Sequence, residues 1–118
     1  MDILKAGKKH FADKLQEDLQ SIEVPEWLNE EGKPFKIYFR SSLRLSQKGI
    51  LLKHYQNEEY DKAIACQLIF RAKDQDGKPL FKMNQMDQII DDLDPDVCSK
   101  IVSQMDNALP SVEEIKGN

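Results

Sequence analysis

Apolar residues near the start of the chain recur at the spacing of an α-helix. Successive members lie seven, four, four and three residues apart, so they form one stripe on a helix surface. The members of this stripe are Leu4, Phe11, Leu15, Leu19 and Ile22. The pattern predicts an amphipathic first helix over residues 3–20. Gly7 weakens its first turns by about 1 kcal/mol relative to alanine, so we expect a loosely attached helix that packs on its own domain or on a neighbouring molecule.

The period changes to that of a β-strand between residues 35 and 40. Every second residue is apolar in the run Phe35-Lys36-Ile37-Tyr38-Phe39-Arg40, which predicts a strand with one buried face. Residues 22–28 are the expected antiparallel partner, connected through a turn that contains Gly32 and Pro34. Pro25 has no N–H group for a ladder, so this partner is predicted to be an edge strand or a broken one. A two-stranded hairpin is marginal alone, and we expect helices on its apolar face.

From Leu43 the chain is predicted to be helical almost to its end. Ser46 is the expected N-cap of a helix that breaks at Gln56-Asn57. A second helix over residues 58–72 is apolar around most of its circumference. We expect it to be the central helix of the domain, covered on several sides.

Three further signals follow the central helix. The run Asp74-Gln75-Asp76-Gly77-Lys78-Pro79 predicts a turn in which Gly77 has a positive φ angle. Asn84, with Asp87 three residues later, predicts the capped start of a short helix that ends near residue 93. Asp94-Pro95 predicts the N-cap and first residue of a last helix, which runs to about residue 109 and is ended by Pro110.

Together these elements predict one α+β domain over residues 1–109. It comprises an N-terminal amphipathic helix, a small antiparallel β-hairpin and a bundle of about four helices. A chain of 118 residues is long enough to bury a core of its own. Residues 110–118 are expected to form a flexible C-terminal tail.

The composition is that of a globular, soluble protein. It has 40% hydrophobic and 32% charged residues, and no apolar run is long enough to span a membrane. The first residues lack the basic-then-apolar layout of a signal peptide, so the chain is expected to stay in the cytoplasm with Cys66 and Cys98 reduced. A net charge of −4 argues against non-specific nucleic-acid binding. We therefore expect neither a membrane nor a nucleic-acid partner.

Charge is unevenly distributed along the chain. Residues 84–118 contain eight carboxylates and two lysines, a net charge of −6, which leaves +2 on the first 83 residues. This asymmetry is compatible with head-to-tail self-association or with a basic partner that docks on the C-terminal half. The alternative is a solvated surface, which is the usual state of a run of charges.

No residue pattern predicts catalysis, a cofactor or a metal. Asp74-x-Asp76-Gly77 has the alternating acids of a calcium loop, but its glycine comes at loop position 4 rather than 6, and position 12 is Gln85. The two histidines and two cysteines lack the short spacing of a zinc site. Acidic clusters lie at predicted helix ends, where capping explains them, and no phosphate-binding glycine pattern occurs. We expect a protein that is not an enzyme, with no catalytic, cofactor-binding or metal-binding residue.

The hairpin carries the candidates for partner binding, because an edge strand can pair with another chain. Tyr38 and Arg40 are predicted to point away from the face that carries Phe39, and both residue types are enriched at interfaces. Trp27 is the third candidate. The alternative is that Trp27 and Phe39 are core residues that hold the hairpin to the helices.

Three short motifs follow one another in a fixed order. They are Pro25-Glu26-Trp27, Ile37-Tyr38-Phe39-Arg40 and Asp74-Gln75-Asp76-Gly77-Lys78-Pro79-Leu80-Phe81, with Leu45-Ser46 opening a helix between the last two. Their order and spacing over residues 24–105 resemble the tail assembly chaperones of long-tailed bacteriophages. Members of that family tend to have glycine directly after Glu-Trp, where this chain has Leu28 and the glycine is delayed to Gly32.

The resemblance implies a chaperone that is absent from the finished virion. It would bind the tape measure protein in the host cytoplasm, keep it soluble during tail assembly, and self-associate into a homo-oligomer encoded by a phage or a prophage. The family has no agreed set of functional side chains, so no site residue is carried over. One alternative is a structural tail component or adaptor of the virion. Another is a small regulatory or nucleic-acid-binding module, which would need a basic face.

Overall fold

The structure of the chain, a computed structural model, describes residues 2–107. Its helices and strands are, in order, α1 (Ile3–Lys14), β1 (Gln20–Leu28), β2 (Pro34–Phe39), α2 (Leu45–Gln56), α3 (Tyr60–Arg71), α4 (Met86–Asp92) and α5 (Pro95–Asn107), and a 3₁₀ turn, Met83–Gln85, precedes α4. This order confirms the predicted α+β fold of an N-terminal helix, an antiparallel hairpin and four further helices. The predicted tail over residues 110–118 and the predicted helix end at Pro110 lie outside the described residues.

The hairpin pairs β1 with β2 in antiparallel register. Ile22 lies opposite Ile37 and Val24 opposite Phe35, and the register shifts between Val24 and Leu28, around Pro25. A broken partner strand was expected there, because proline cannot donate to the ladder. Gly32, with a φ angle of 75°, closes the turn between the strands.

One face of the hairpin forms part of the core, but it is shorter than predicted. Ile22, Val24, Ile37 and Phe39 belong to the main apolar cluster. Phe35 shares their strand face, yet its side chain is 45% exposed. It lies at the turn end of β2, beside the register shift, where the helices no longer cover the hairpin.

Helix α3 is the central element, as predicted. It packs against α2, α4 and α5, and its buried residues are Ala63, Ala65, Cys66, Gln67, Leu68, Ile69 and Arg71. The helix begins at Tyr60 rather than at residue 58, because Glu58 has a φ angle of 59°, which is outside the helical region.

A single bridging residue covers the outer edge of β2. The Lys73 N–H donates to the Tyr38 carbonyl at 2.7 Å, and the Tyr38 N–H donates to the Lys73 carbonyl at 2.9 Å. The predicted turn follows, with Gly77 at a φ angle of 83°. The Asp74 carboxylate accepts the N–H groups of Asp76 and Lys78 at 2.8 and 2.9 Å. Asp74 therefore stabilises the turn, and the turn interpretation of this run is confirmed.

The first helix is shorter than the predicted range of 3–20 and makes little contact with the core. It ends at Lys14. Just beyond this end, the Gln16 N–H donates to the Asp13 carbonyl at 3.1 Å, a bond three residues back that gives a tighter turn than the α-helix. Ile22 belongs to β1 instead of the helix stripe, because pairing with β2 buries it and a continued helix would not. Helix α1 has no buried residue, so the expectation of loose attachment is confirmed.

Two predicted caps are wrong and one is confirmed. Arg44, not Ser46, is the N-cap of α2, and its N–H donates to the Gln47 side chain at 2.9 Å. The predicted pair of Asn84 and Asp87 does not cap the next segment, where the Lys82 N–H donates to the Gln85 side chain at 2.8 Å. In both places the side chain of a glutamine three residues later accepts the N–H of the cap residue, so the bond is made by a longer side chain than the predicted Ser46 and Asn84.

The Asp94 carboxylate accepts the Asp96 N–H at 2.9 Å, and its carbonyl accepts the Cys98 N–H at 3.0 Å. Asp94 therefore caps α5 as predicted, directly before Pro95.

Candidate interaction surface

Helix α2 exposes large apolar side chains. Its sequence places Ile50, Leu51 and Leu52 in a row, and consecutive residues on a helix point about 100° apart. Only one of them can face α3, and Leu51 is the one that is buried. Leu52 is 58% exposed on one flank of Leu51, and Ile50 is exposed on the other.

Leu52 belongs to a strip along α2. Leu45, Leu52 and Tyr55 lie seven and three residues apart, so they share one side of the helix. We call these three residues the α2 strip. Leu45 is 86% exposed, and the ring of Tyr55 lies 6.3 Å from that of Tyr60 at the start of α3. The strip is therefore an apolar surface on a helix that packs on one side only.

A groove runs beside the α2 strip. It has a volume of about 420 Å³, and its apolar wall is formed by Leu43, Leu51, Leu52 and Tyr55. Lys48 and Asp106 also line it. A helix or extended segment with apolar residues could pack there, with charged groups at the rim to fix its orientation.

A second apolar groove, of about 290 Å³, lies at the turn end of the hairpin. Its lining residues are Trp27, Phe35, Ile37, Leu80, Phe81 and Leu93. Trp27 is half-buried and packs against the core cluster. Trp27 therefore contributes to the core, as one of the two interpretations predicted, and it also lines the groove; its role in partner binding stays a prediction.

Tyr38 and Arg40 lie away from Trp27, on the other side of β2. Tyr38 lines an open depression together with Lys36, Asp74 and other residues of the hairpin and turn. The Nε of Arg40 donates to the Glu17 carbonyl at 2.7 Å, so this side chain connects the residue directly after β2 to the segment between α1 and β1. The three residues predicted to bind a partner are therefore not brought together into one site.

The α2 strip was missed by the sequence reasoning. Its signal was the row of three aliphatic residues, because a helix that packs on one neighbour cannot bury such a row. The predicted partner-binding residues were all in or next to the hairpin, because it contains aromatic residues and an edge strand. Within residues 2–107, β1 pairs only with β2, so its outer edge remains a possible pairing site.

Charged groups fix the junction between α2 and α3. The Glu59 carboxylate accepts the Lys62 Nζ at 2.9 Å and lies 3.1 Å from the His54 Nδ1. These hydrogen bonds, the one from Lys62 above all, lower the pKa of the Glu59 carboxyl from 4.5 to about 2. The end of the α2 strip near Tyr55 is thereby attached to the central helix.

Neither cysteine nor metal chemistry is built around this surface. Burial raises the pKa of the Cys66 and Cys98 thiols. Across residues 2–107, no group of three or more His, Cys, Asp or Glu residues is arranged to hold a metal ion. No helix in this range is long and apolar enough to cross a membrane.

The chain is thus a small α+β protein in which a hairpin packs on a helical bundle and one helix exposes an apolar strip. Comparison with protein-family models, with curated proteins and with solved structures gives no match.

Proposed function

We propose that this chain is a phage tail assembly chaperone. It binds the tape measure protein, keeps it soluble during tail morphogenesis and performs no chemistry of its own. The motif order over residues 24–105 supports this proposal. The observation that carries it furthest is the α2 strip, because Leu45 and Leu52 are exposed on a helix whose only buried residue is Leu51.

The strip suits a helical partner. Large exposed apolar residues at helical spacing are the usual means by which one amphipathic helix packs on another. A tape measure protein is long and rich in such helices, and its apolar stripes aggregate when they are uncovered. Several chaperone copies would each cover a segment, and the proposal includes self-association of the chain into a homo-oligomer.

The proposal places the protein in the host cytoplasm, where tails are assembled. It includes no nucleic-acid or membrane partner, in keeping with the net charge of −4. The same function is expected whether the source is a phage or a prophage.

Co-expression tests the proposal directly. The partner is the tape measure protein of the same phage or prophage, produced alone, with this chain, or with an unrelated acidic protein of similar size. We expect the partner to be soluble only with this chain and to co-elute with several copies of it in size-exclusion chromatography with light scattering. If the partner stays insoluble and this chain remains a monomer in the mixture, the proposal is wrong.

Purified virions separate the chaperone from a structural tail component. A chaperone is released before the particle is complete, so mass spectrometry of mature particles should contain tail proteins but not this chain. Detection of the chain in stoichiometric amounts would contradict the chaperone proposal and favour a structural tail component or adaptor.

A further inference from the structure

A pocket of about 220 Å³ lies between the hairpin, the start of α2 and the end of α3. Four of its lining residues are basic: Arg40, Arg44, Arg71 and Lys73. None of the described residues that line it is acidic. We call it the cationic pocket.

The backbone pairing explains why these cations meet. Tyr38 and Lys73 form an isolated antiparallel bridge, which brings the end of β2, followed by Arg40, next to the end of α3, where Arg71 lies. Arg44 joins them from the N-cap of α2. The backbone positions of these four residues follow from the fold.

Arg71 is the most buried of the four basic residues. Only 4% of the residue is exposed. Its Nη1 donates to Asp106 Oδ1 at 2.7 Å and to Gln67 Oε1 at 3.2 Å, and its Nη2 donates to the Met105 carbonyl at 3.3 Å. These bonds fix the guanidinium group through Nη1 and Nη2 and leave its Nε without a protein partner among the described residues.

Two buried polar atoms at this pocket have no protein partner among the described residues, the Nε of Arg71 and the Oγ of Ser42. Both residues line the pocket. A buried donor without a partner costs free energy, and such groups in native proteins usually meet a ligand, an ion or water. The two orphaned atoms are the second, independent sign of a site.

The charges of the lining residues indicate that the ligand is an anion. Burial, and then the charge of Arg40, lower the pKa of Lys73, which shows how closely the cations are placed. Like charges held together in a partly buried site repel one another unless an anion joins them. Asp106 neutralises Arg71 from the side, but the other three have no carboxylate in the pocket.

We propose that the cationic pocket binds a phosphate-type oxyanion, as inorganic phosphate or as a small phosphate monoester. Arginine presents forked donors that match the oxygens of phosphate, and a hydroxyl adds a further donor. Gly77 forms one wall without a side chain; a Cβ there would stand 3.7 Å from Arg40 Nη1. The volume leaves room for a small organic group beside the phosphate. This inference is independent of the proposed chaperone function.

The test is an NMR titration of the isotope-labelled full chain at constant ionic strength. Inorganic phosphate, O-phosphoserine and acetate are each added against chloride, and the amides of Ser42, Lys73 and Gly77 report binding. We expect saturable shifts with phosphate or phosphoserine and much weaker ones with acetate. Tighter binding of phosphoserine identifies a monoester site, and tighter binding of phosphate identifies a site for the free ion.

Matched variants show whether the pocket is responsible. Lys73→Gln keeps the aliphatic stem and should weaken phosphate binding about tenfold, the cost of one charge-assisted hydrogen bond. Lys36→Gln removes a β2 lysine outside the pocket and should change binding by less than about twofold. Ser42→Ala, whose hydroxyl has no protein partner to lose, is a second variant that should weaken binding without unfolding. Absence of saturable shifts, equal binding of acetate, or equal effects of the two lysine variants would overturn the proposal.

Discussion

Glu58 is the only non-glycine residue in the described part of the chain with a positive φ angle, 59°. It follows Asn57, the C-cap of α2, and its N–H donates to the Tyr55 carbonyl at 3.1 Å, while the Glu59 N–H donates to the His54 carbonyl at 2.8 Å. These two bonds form a Schellman motif, in which glycine is strongly preferred at this position. A side chain there has a steric cost that glycine lacks.

Glu58→Gly should therefore stabilise the fold by about 0.5–1 kcal/mol. Urea unfolding followed by circular dichroism measures the change. Glu58→Ala is the control, because it removes the charge but keeps the Cβ and should not be stabilising. Equal stabilisation by both variants would assign the effect to charge, and the strain argument would fail.

Glu59 makes the stability depend on pH. Its carboxyl pKa is about 2 in the fold instead of 4.5, so the folded state holds the charged form more strongly than the unfolded chain does. The contribution to stability is complete above pH 4.5 and is lost as the pH falls toward 2. Glu59→Gln should lower the urea midpoint at pH 7, and the gap to the unmodified chain should narrow between pH 5 and pH 3.

Salt provides the control for this pair, since the Lys62 and Glu59 side chains are partly exposed. The gap at pH 7 should shrink in 1 M salt, which screens exposed charges. A gap that stays constant from pH 7 to pH 3 would contradict the role of the Glu59 carboxylate.

At the scale of elements, α1 and α2 differ in how they are attached. Helix α1 has no buried residue, whereas α2 packs on α3 through Leu51. Each contains a glycine, Gly7 or Gly49, and apart from the chain neighbours and the backbone of the helix itself no atom lies within 4 Å of the place a Cβ would take. The two glycines are therefore a matched pair for measuring how strongly each helix is coupled to the fold.

Gly49→Ala should raise the free energy of unfolding by about 0.5–1 kcal/mol, because α2 unfolds with the domain. Gly7→Ala should strengthen α1 by a similar local amount but leave the global urea midpoint unchanged, because α1 opens on its own. Amide hydrogen exchange within α1 should nevertheless slow down. A midpoint shift as large as that of Gly49→Ala would show that α1 unfolds together with the core.

The elements that were predicted correctly from the sequence are those whose apolar residues are spaced to match the faces that the fold buries. The alternation of apolar residues around Ile37 and the apolar circumference of α3 both reflect which side chains are buried. The strand β2 and the helix α3 therefore formed as predicted. The end of α1 was predicted too late because the spacing to Ile22 fits a helix, and only pairing with β2 assigns that residue to a strand. The caps at Arg44 and Lys82 were missed because a long glutamine side chain makes the bond.

The candidate site was less predictable than the fold. Trp27, Tyr38 and Arg40 are close in the hairpin sequence, but alternation and the register shift direct them to different surfaces. The α2 strip depends on which side of α2 meets α3, and the sequence of α2 alone leaves that choice open among three adjacent aliphatic residues. The cationic pocket depends on the bridge between Tyr38 and Lys73, which are far apart along the chain.

At the scale of the whole molecule, the α2 strip and the cationic pocket are two candidate binding surfaces, and they suit different kinds of partner. The strip offers apolar area without fixed charge, and the pocket offers charge within a small volume. A long helical partner fits the first, and a small oxyanion fits the second. Arg71 lines both the groove beside the strip and the cationic pocket. The strip residues Leu45, Leu52 and Tyr55 do not line the pocket, so variants of the strip should leave phosphate binding unchanged.

The double variant Leu45→Gln with Leu52→Gln tests the strip in the whole protein. Both side chains are exposed, so the free energy of unfolding should change by less than about 0.5 kcal/mol. Affinity for the tape measure protein should fall about tenfold or more, because apolar anchors carry most of the binding energy at such surfaces. Light scattering of the chain alone shows whether self-association uses the same strip.

Ile50→Gln is the matched control, because Ile50 is on the same helix, is also exposed and lies on the other flank of Leu51. It should leave both partner binding and self-association unchanged. If Ile50→Gln weakens binding as much as the double variant, the partner surrounds α2 and the strip is not the specific surface. If the partner still co-elutes with the chain and neither variant weakens its binding, the contact lies elsewhere. The groove lined by Trp27 and Phe35 then becomes the surface to mutate.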